Sequence, residues 1–279
     1  MEEKLDTTEV MNFNNLDSEN KVVIDSNEEI WNKETYNAWV NRFGTPEEAA
    51  ERISKNPEGL LSILHGKFGD VRGKKIMNLM GSNGNKAVAL ALLGAQVTVV
   101  DFSEGNKRYA LDLAKAAGVT IDYIVSDVLK LPKEQLLANY DIVFAEMGIL
   151  HYFTDLAPFM KVIYELLDKD GIALIRDFHP ISTKLISSRG STAKVRKHKV
   201  TGDYFDTSLE EKDVSYHKYS ENDEPKKVFL RRWTLGEIVT SVATSGLVIK
   251  SLEEEPNLSS EVFDKGIPKT FTIVAERTL

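Results

Sequence analysis

The sequence predicts an α/β protein built on a mostly parallel sheet with helices on both faces. Three observations carry this expectation. From Lys75 to Asp101 the chain reads as a buried strand, a tight Gly/Asn turn, a helix and a second buried strand ending in an acid, the outline of one nucleotide-binding βαβ unit. The alternation of strand-like and helical runs then continues to Phe178. Near the C-terminus a helix is followed by two strand-like runs in hairpin order, which a simple dinucleotide-binding domain does not require.

The elements follow in order. Residues 1–27 are polar, with a composition that suits disorder, and 28–72 read as a helical lid. Trp31, Tyr36, Trp39 and Phe43 are spaced to share one helix face, which leaves two readings: a stripe packed against the sheet, or a cover over a ligand and its reaction partner. Thr45-Pro46-Glu47-Glu48 opens a second helix with a capping box and Pro at its first position, and Asn56-Pro57 opens a third carrying Leu60, Leu61, Ile63 and Leu64. In the βαβ unit Gly81 and Gly84 are the turn glycines, and Asp101 is placed to accept hydrogen bonds from ribose hydroxyls. Ser103 caps a helix from Glu104 to Ala117 that Gly118 stops, and the strand IDYIV from Ile121 leads into Ser126-Asp127-Val128. A fourth strand, Tyr140 to Ala145, runs into EMGILHYF. A helix from about Leu156 to Leu167, a turn DKDG and the strand IALIRDF complete the alternation. Thr234-Leu-Gly-Glu237 is a capping box opening a helix to about Ala243; LVIKSL and TFTIVAER read as the closing strands.

The turn decides the ligand class. A dinucleotide fingerprint needs G-x-G-x-x-G to seat a pyrophosphate, whereas Met80 to Lys86 reads MGSNGNK. The spacing disfavours a nicotinamide-dependent oxidoreductase. Aligned from its helix end, GNKAVALALLGA, the segment resembles the first motif of the class I S-adenosylmethionine-dependent methyltransferases, hhD-L-G-x-G-x-G before an alanine-rich helix. Gly84 falls on the last glycine, while Asn78 stands in place of the usual acid, and Met80 and Ser82 in place of the first two glycines. The family's later landmarks follow in order between about Gly73 and Arg277, including the small-molecule pattern of an apolar-Leu-His-aromatic turn after the fourth strand.

That resemblance implies a Rossmann-like, seven-stranded, mostly parallel sheet with an antiparallel C-terminal hairpin, S-adenosylmethionine as cofactor, and methyl transfer to a small-molecule O, N, S or C nucleophile. It also implies a cofactor site made of Asn78, Met80, Gly81, Ser82, Gly84, Asp101, Phe102, Asp127, Val128 and Glu146. In it Asp127 holds the adenine amino group, the backbone N–H of Val128 meets the ring, and Glu146 faces the methionine amino group or the acceptor. The neutral amide of Asn78 predicts weaker cofactor binding than an acid would give. A second reading, a non-catalytic sensor or scaffold binding S-adenosylmethionine or another adenosine compound, follows from the same departures.

Displacement at a sulfonium methyl needs alignment and exclusion of water, not a protein nucleophile. A hydroxyl acceptor would also need a base, and the candidates are His151 after the fourth strand and His179 after the fifth, with Asp177 either orienting His179 or capping the next turn. The chain has no cysteine, so disulfides and thiolate chemistry are excluded, and its five histidines show no metal-ligand spacing. With 43 acids against 35 basic residues the net charge of −8 argues against nucleic acid as a partner. One run, Lys184, Arg189, Lys194, Arg196, Lys197 and Lys199, contains no acid and reads either as a solvated loop or as a substrate-site wall favouring an anionic acceptor. It lies in 181–232, an expected insertion forming part of the acceptor pocket with Tyr204, Phe205, Tyr216 and Tyr219. The acidic start and the absence of a long apolar run argue for a cytoplasmic protein without a membrane segment.

Overall fold

A computed structural model describes residues 35–132, 134, 139–188, 198–213, 227–256 and 266–278. Trp31, Arg189, Lys194, Arg196, Lys197, Tyr216, Tyr219 and the side chain of Lys199 lie outside what is described. The strands are β1 (Lys75–Leu79), β2 (Gln96–Asp101), β3 (Asp122–Val125), β4 (Tyr140–Glu146) and β5 (Leu167–Phe178). After them come β6 (Ile186–Ser188), β7 (His198–Val200), β8 (Leu209–Asp213), β9 (Lys227–Arg231), β10 (Val248–Pro256) and β11 (Pro268–Glu276). Seven of these form one sheet in the order β3-β2-β1-β4-β5-β11-β10, parallel except that β11 runs antiparallel to both β5 and β10. This is the Rossmann-like sheet with a terminal hairpin that the sequence pattern and the resemblance imply.

The central strands are apolar on both faces because both are covered. Along β4, Val143 and Ala145 join one core, whereas Ile142 and Phe144 join the other. The eight α-helices are α1 (Thr35–Phe43), α2 (Pro46–Lys55), α3 (Pro57–Leu61), α4 (His65–Phe68), α5 (Asn85–Leu92), α6 (Glu104–Ala116), α7 (Ala157–Leu166) and α8 (Leu235–Thr244), counted among the described residues. Helices α7 and α8 build the first core around Phe159, Met160 and Val242, and α5, α6 and the N-terminal helices build the second around Leu90, Tyr109 and Leu113. Both capping boxes form, at Thr45/Glu48 and Thr234/Glu237.

Three local expectations change. The DKDG stretch does not end in a free turn: β5 starts at Leu167 and runs through it, with Asp170 at φ 63° inside the strand and its N–H bonded to the Arg277 carbonyl. The third N-terminal helix is broken, because Ser62 takes φ 52° and separates α3 from a 3₁₀ turn and α4. Leu61 and Leu64 are then buried while Ile63 is exposed. Finally, the aromatic stripe packs not on the sheet but on α6: the Tyr36 hydroxyl donates to Asp112 Oδ2 at 3.0 Å and its ring meets Tyr109 edge-on, centroids 5.7 Å apart.

Among the described residues of the segment 181–232 are two antiparallel strand pairs, β6-β7 and β8-β9. Its Lys184 corrects the solvated-loop reading at that position. The side chain is buried, and its Nζ donates to the carbonyls of Asp206 and Arg232, tying the segment together while desolvation lowers its pKa. Tyr204 accepts a hydrogen bond from the Leu235 N–H at 3.0 Å, whereas Phe205 is exposed.

The site depends on how closely α5 and α6 approach. Gly84 heads α5 at φ 71°, and a Cβ there would lie 2.6 Å from the Ala110 Cβ on α6. Gly84→Ala should therefore destabilise the protein by about 2 kcal/mol or more, through both the left-handed backbone and the clash, measured as a lower midpoint in urea unfolding.

Candidate active site

A cavity of about 640 Å³ opens at the carboxyl ends of β1, β2, β4 and β5. Strand β1 sits between β2 and β4, and the chain leaves it for β2 on one side and returns to β4 on the other, so the loops diverge there and leave a crevice. Asn78, Met80, Gly81, Ser82, Asp101, Phe102 and Glu146 all line it, as does His151. Gly84, Asp127, Val128 and His179 do not appear on its wall.

The β1 turn supports a close-fitting ligand. A Cβ on Gly81 would stand 2.5 Å from Asn78 Oδ1 and 2.6 Å from Val99 Cγ1, so only glycine fits between the first two strands. Met80 and Ser82, which replace family glycines, both hold φ 50°, so the left-handed turn survives without the residues that adopt it most readily. The buried Asn78 amide lies under this turn, its Nδ2 3.5 Å from the Leu79 carbonyl.

Asp101 is partly buried and held by three donors: its Oδ1 accepts from Ser103 N at 3.2 Å and Asn106 Nδ2 at 2.8 Å, and its Oδ2 accepts from Ser82 N at 3.0 Å. Desolvation raises its pKa, and the hydrogen bonds from Asn106, Ser103 and Ser82 pull against that rise. A carboxylate oxygen accepts two hydrogen bonds, so Oδ2, with Ser82 N as its donor, retains acceptor capacity, and Asp101 lines the cavity. Glu146 is the second cavity acid: Oε1 is paired with Lys86 from the first turn of α5, and Oε2 is buried with no hydrogen-bond partner. Asp127 caps the short turn after β3, with Oδ1 accepting from Leu129 N at 2.8 Å and Oδ2 3.1 Å from Lys130 Nζ.

The two histidines part company. Phe178 lines the cavity, and strand alternation turns His179 away from it: its Nδ1 accepts from Ile181 N at 3.1 Å, so Nε2 carries the proton, 2.6 Å from Glu254 Oε1. Asp177 does not orient His179. Its Oδ1 accepts from Gly148 N at 2.6 Å and Phe178 N at 2.7 Å, and its Oδ2 accepts from Ile149 N at 3.1 Å and Leu150 N at 2.9 Å, so it moulds the turn that carries His151. His151 stands on the cavity wall beside Tyr152, ring centroids 4.5 Å apart. Desolvation lowers its pKa to about 4, with the Asp177 charge opposing that fall, so the ring is neutral and able to accept a hydrogen bond at neutral pH.

From α1, Trp39 and Phe43 of the aromatic stripe line the cavity, as the alternative reading of a cover over the ligand expects, and Arg42, which no sequence signal singles out, lines it with them alongside Met147, Tyr152 and Phe178. The aromatic spacing signals the helix, yet which helix it packs on is a tertiary fact. From the insertion, Thr183, Arg231 and Arg232 reach only a small adjoining pocket that shares His151 and Phe178 with the main cavity. Among the described residues no cluster of His, Asp and Glu is arranged to hold a metal, and no helix is long and apolar enough to cross a membrane.

Residues 80–175 match the methyltransferase domain family. With the sheet order, the matched segment is similar to a methyltransferase domain of the class I S-adenosylmethionine-dependent type. It is 26% identical over 138 residues to a ubiquinone biosynthesis O-methyltransferase of Bordetella pertussis, an alignment covering 50% of this chain and 56% of that protein. The chain thus spans about half the length of that curated relative. Two solved structures share the fold. An S-adenosylmethionine dependent methyltransferase from Mesorhizobium loti superposes with a TM-score of 0.59 at 21% identity, covering 77% of this chain and 95% of that one. Magnesium protoporphyrin IX methyltransferase from Synechocystis PCC 6803, crystallised with S-adenosylhomocysteine, gives 0.55 at 14% identity, covering 92% of this chain and 99% of that one.

Two outcomes follow from this geometry. Replacing Asp177 by Asn sets an amide N–H₂ against backbone donors and should cost about 2 kcal/mol or more of stability in urea unfolding. The lowered His151 pKa means that the unfolded chain binds the extra proton first, so the stability present above pH 6.5 should fall as pH drops toward about 4. In His151→Gln that part of the acid loss should vanish from unfolding curves taken across the same range.

Proposed function

We propose that this protein transfers a methyl group from S-adenosylmethionine to a small-molecule O, N, S or C nucleophile by in-line displacement. The observation that carries the reading is Asp101: a carboxylate at the end of β2, oriented by three donors, lining a cavity whose β1 turn has no pyrophosphate fingerprint. The residues present suit the cofactor. Asp101 would hold the ribose, the tight Gly81 turn lets the backbone come close, and the buried unpartnered Oε2 of Glu146 supplies an acceptor for an ammonium group where Asn78 brings no charge. Asp127 and Val128, just past β3, extend the proposed site toward the adenine.

When bound, S-adenosylmethionine supplies an electrophilic sulfonium methyl. The chain's own part is alignment and exclusion of water, for which the apolar wall of Trp39, Phe43, Met147, Tyr152 and Phe178 is suited. His151 is the proposed base for a hydroxyl acceptor: uncharged at rest, on the cavity wall, and with the nearby Asp177 charge favouring the imidazolium it would become. His179, which shares the strand-end position but faces Glu254, takes no part in this proposal.

Asp101→Ala should lower affinity for S-adenosylhomocysteine by about 10- to 100-fold in calorimetry, the range for losing hydrogen bonds to a charged group. Unchanged affinity would remove the site assignment. Incubation with isotope-labelled S-adenosylmethionine and cell extract, read by mass spectrometry, should yield a labelled small molecule; a protein that binds the cofactor yet labels nothing across varied extracts would be a sensor or scaffold.

A further inference from the structure

Helix α1 does more than wall the cavity. The indole Nε1 of Trp39 donates to Asn106 Oδ1 at 2.6 Å, Asn106 Nδ2 donates to Asp101 Oδ1 at 2.8 Å, and both Trp39 and Asn106 are buried. The direction of this chain is settled by chemistry. An indole N–H can only donate, so it fixes the amide oxygen of Asn106 toward the tryptophan and its N–H₂ toward the carboxylate. A flipped amide would set its oxygen against the Asp101 carboxylate, two acceptors facing each other in a site that burial makes poorly screened.

The rest of α1 is anchored to the same turn. The Ser103 and Thr35 hydroxyls are 3.4 Å apart, the Ser103 hydroxyl caps α6 by accepting from Asn106 N at 3.1 Å, and a Cβ on Gly105 would lie 3.2 Å from the Thr35 Cβ. At the other end of α1 the Tyr109 hydroxyl donates to the Gly44 carbonyl at 3.2 Å. The helix is therefore seated against the residues that shape Asp101, while Trp39 also faces the ligand cavity.

We infer that Trp39 and Asn106 are positioning residues that set the rotamer of Asp101 for a nucleoside, so that docking of α1 and occupancy of the site reinforce each other. This rests on the assignment of Asp101 as the ribose ligand. It goes beyond that assignment in placing part of the cofactor affinity on an N-terminal helix that lies outside the matched methyltransferase segment, residues 80–175. Occupancy orients the carboxylate through Oδ2, and the seated helix orients it through Oδ1; by linkage each favours the other.

The test is a double-mutant cycle on S-adenosylhomocysteine affinity by calorimetry, using the full chain. Trp39→Phe, which keeps a ring but removes the N–H, should weaken binding about 5- to 20-fold, in line with one buried hydrogen bond. Asn106→Ala should weaken it at least as much. The double variant should bind no worse than Asn106→Ala alone, because the indole acts through the amide. Equal protection of amides 35–43 from hydrogen exchange with and without ligand would contradict the coupling, as would a double variant whose loss equals the product of the single losses. Replacement of Trp39 by a benzothienyl analogue, which retains the bicyclic shape without the N–H, separates packing from donation: wild-type affinity in that protein overturns the relay. Asp101→Ala keeps the two ideas distinct. If it binds normally the ribose assignment fails, whereas if it loses binding while Trp39→Phe does not, only the relay fails.

Discussion

The parallel pairing of β1 with β2 on one side and β4 on the other is the constraint from which the site follows. Consecutive strands in such a sheet need crossover helices, so the chain travels outward through β2 and β3 and must return across the sheet to lay down β4. The loops leaving β1 and β4 then turn to opposite faces. The gap between them is the cavity, and its polar residues arrive from strand ends far apart in sequence: Asn78 and Ser82, Asp101, and Glu146 with His151.

Carboxylates organise this edge of the sheet, and each is held differently. Asp177 is consumed by four backbone N–H groups and shapes a turn; Asp101 is oriented by two backbone donors and an amide; Glu146 leans on Lys86 and keeps one oxygen without a protein partner. Buried acids carry a high desolvation cost unless their hydrogen bonds are satisfied. The three therefore range from a fully satisfied scaffold residue to one with a buried oxygen that has no hydrogen-bond partner among the described residues.

Beyond the sheet, the N-terminal helix and the insertion set the environment of the chemistry. Helix α1 contributes aromatic surface and a hydrogen-bonded link to Asp101, while the buried Lys184 braces the insertion by capping two of its carbonyls. A shared sheet leaves the acceptor open, since function resides in such additions more than in the fold that carries them.

Sequence by itself determined the order of elements, the capping boxes, the tight turn at Gly81 and Gly84, and Asp101 at a strand end. These are legible because period-2 and period-3.6 patterns, caps and glycine turns are local consequences of backbone geometry. It also placed His151 and His179 at comparable strand ends and could not separate them. Only the tertiary structure did so, because a one-residue step along β5 points Phe178 into the cavity and His179 toward Glu254 on a strand that arrives seventy-odd residues later. The same holds for Asp177, whose long-range partners lie in the turn after β4, and for Trp39, whose amide partner sits 67 residues away. Long-range contacts of this kind depend on register and helix docking, which no local pattern encodes.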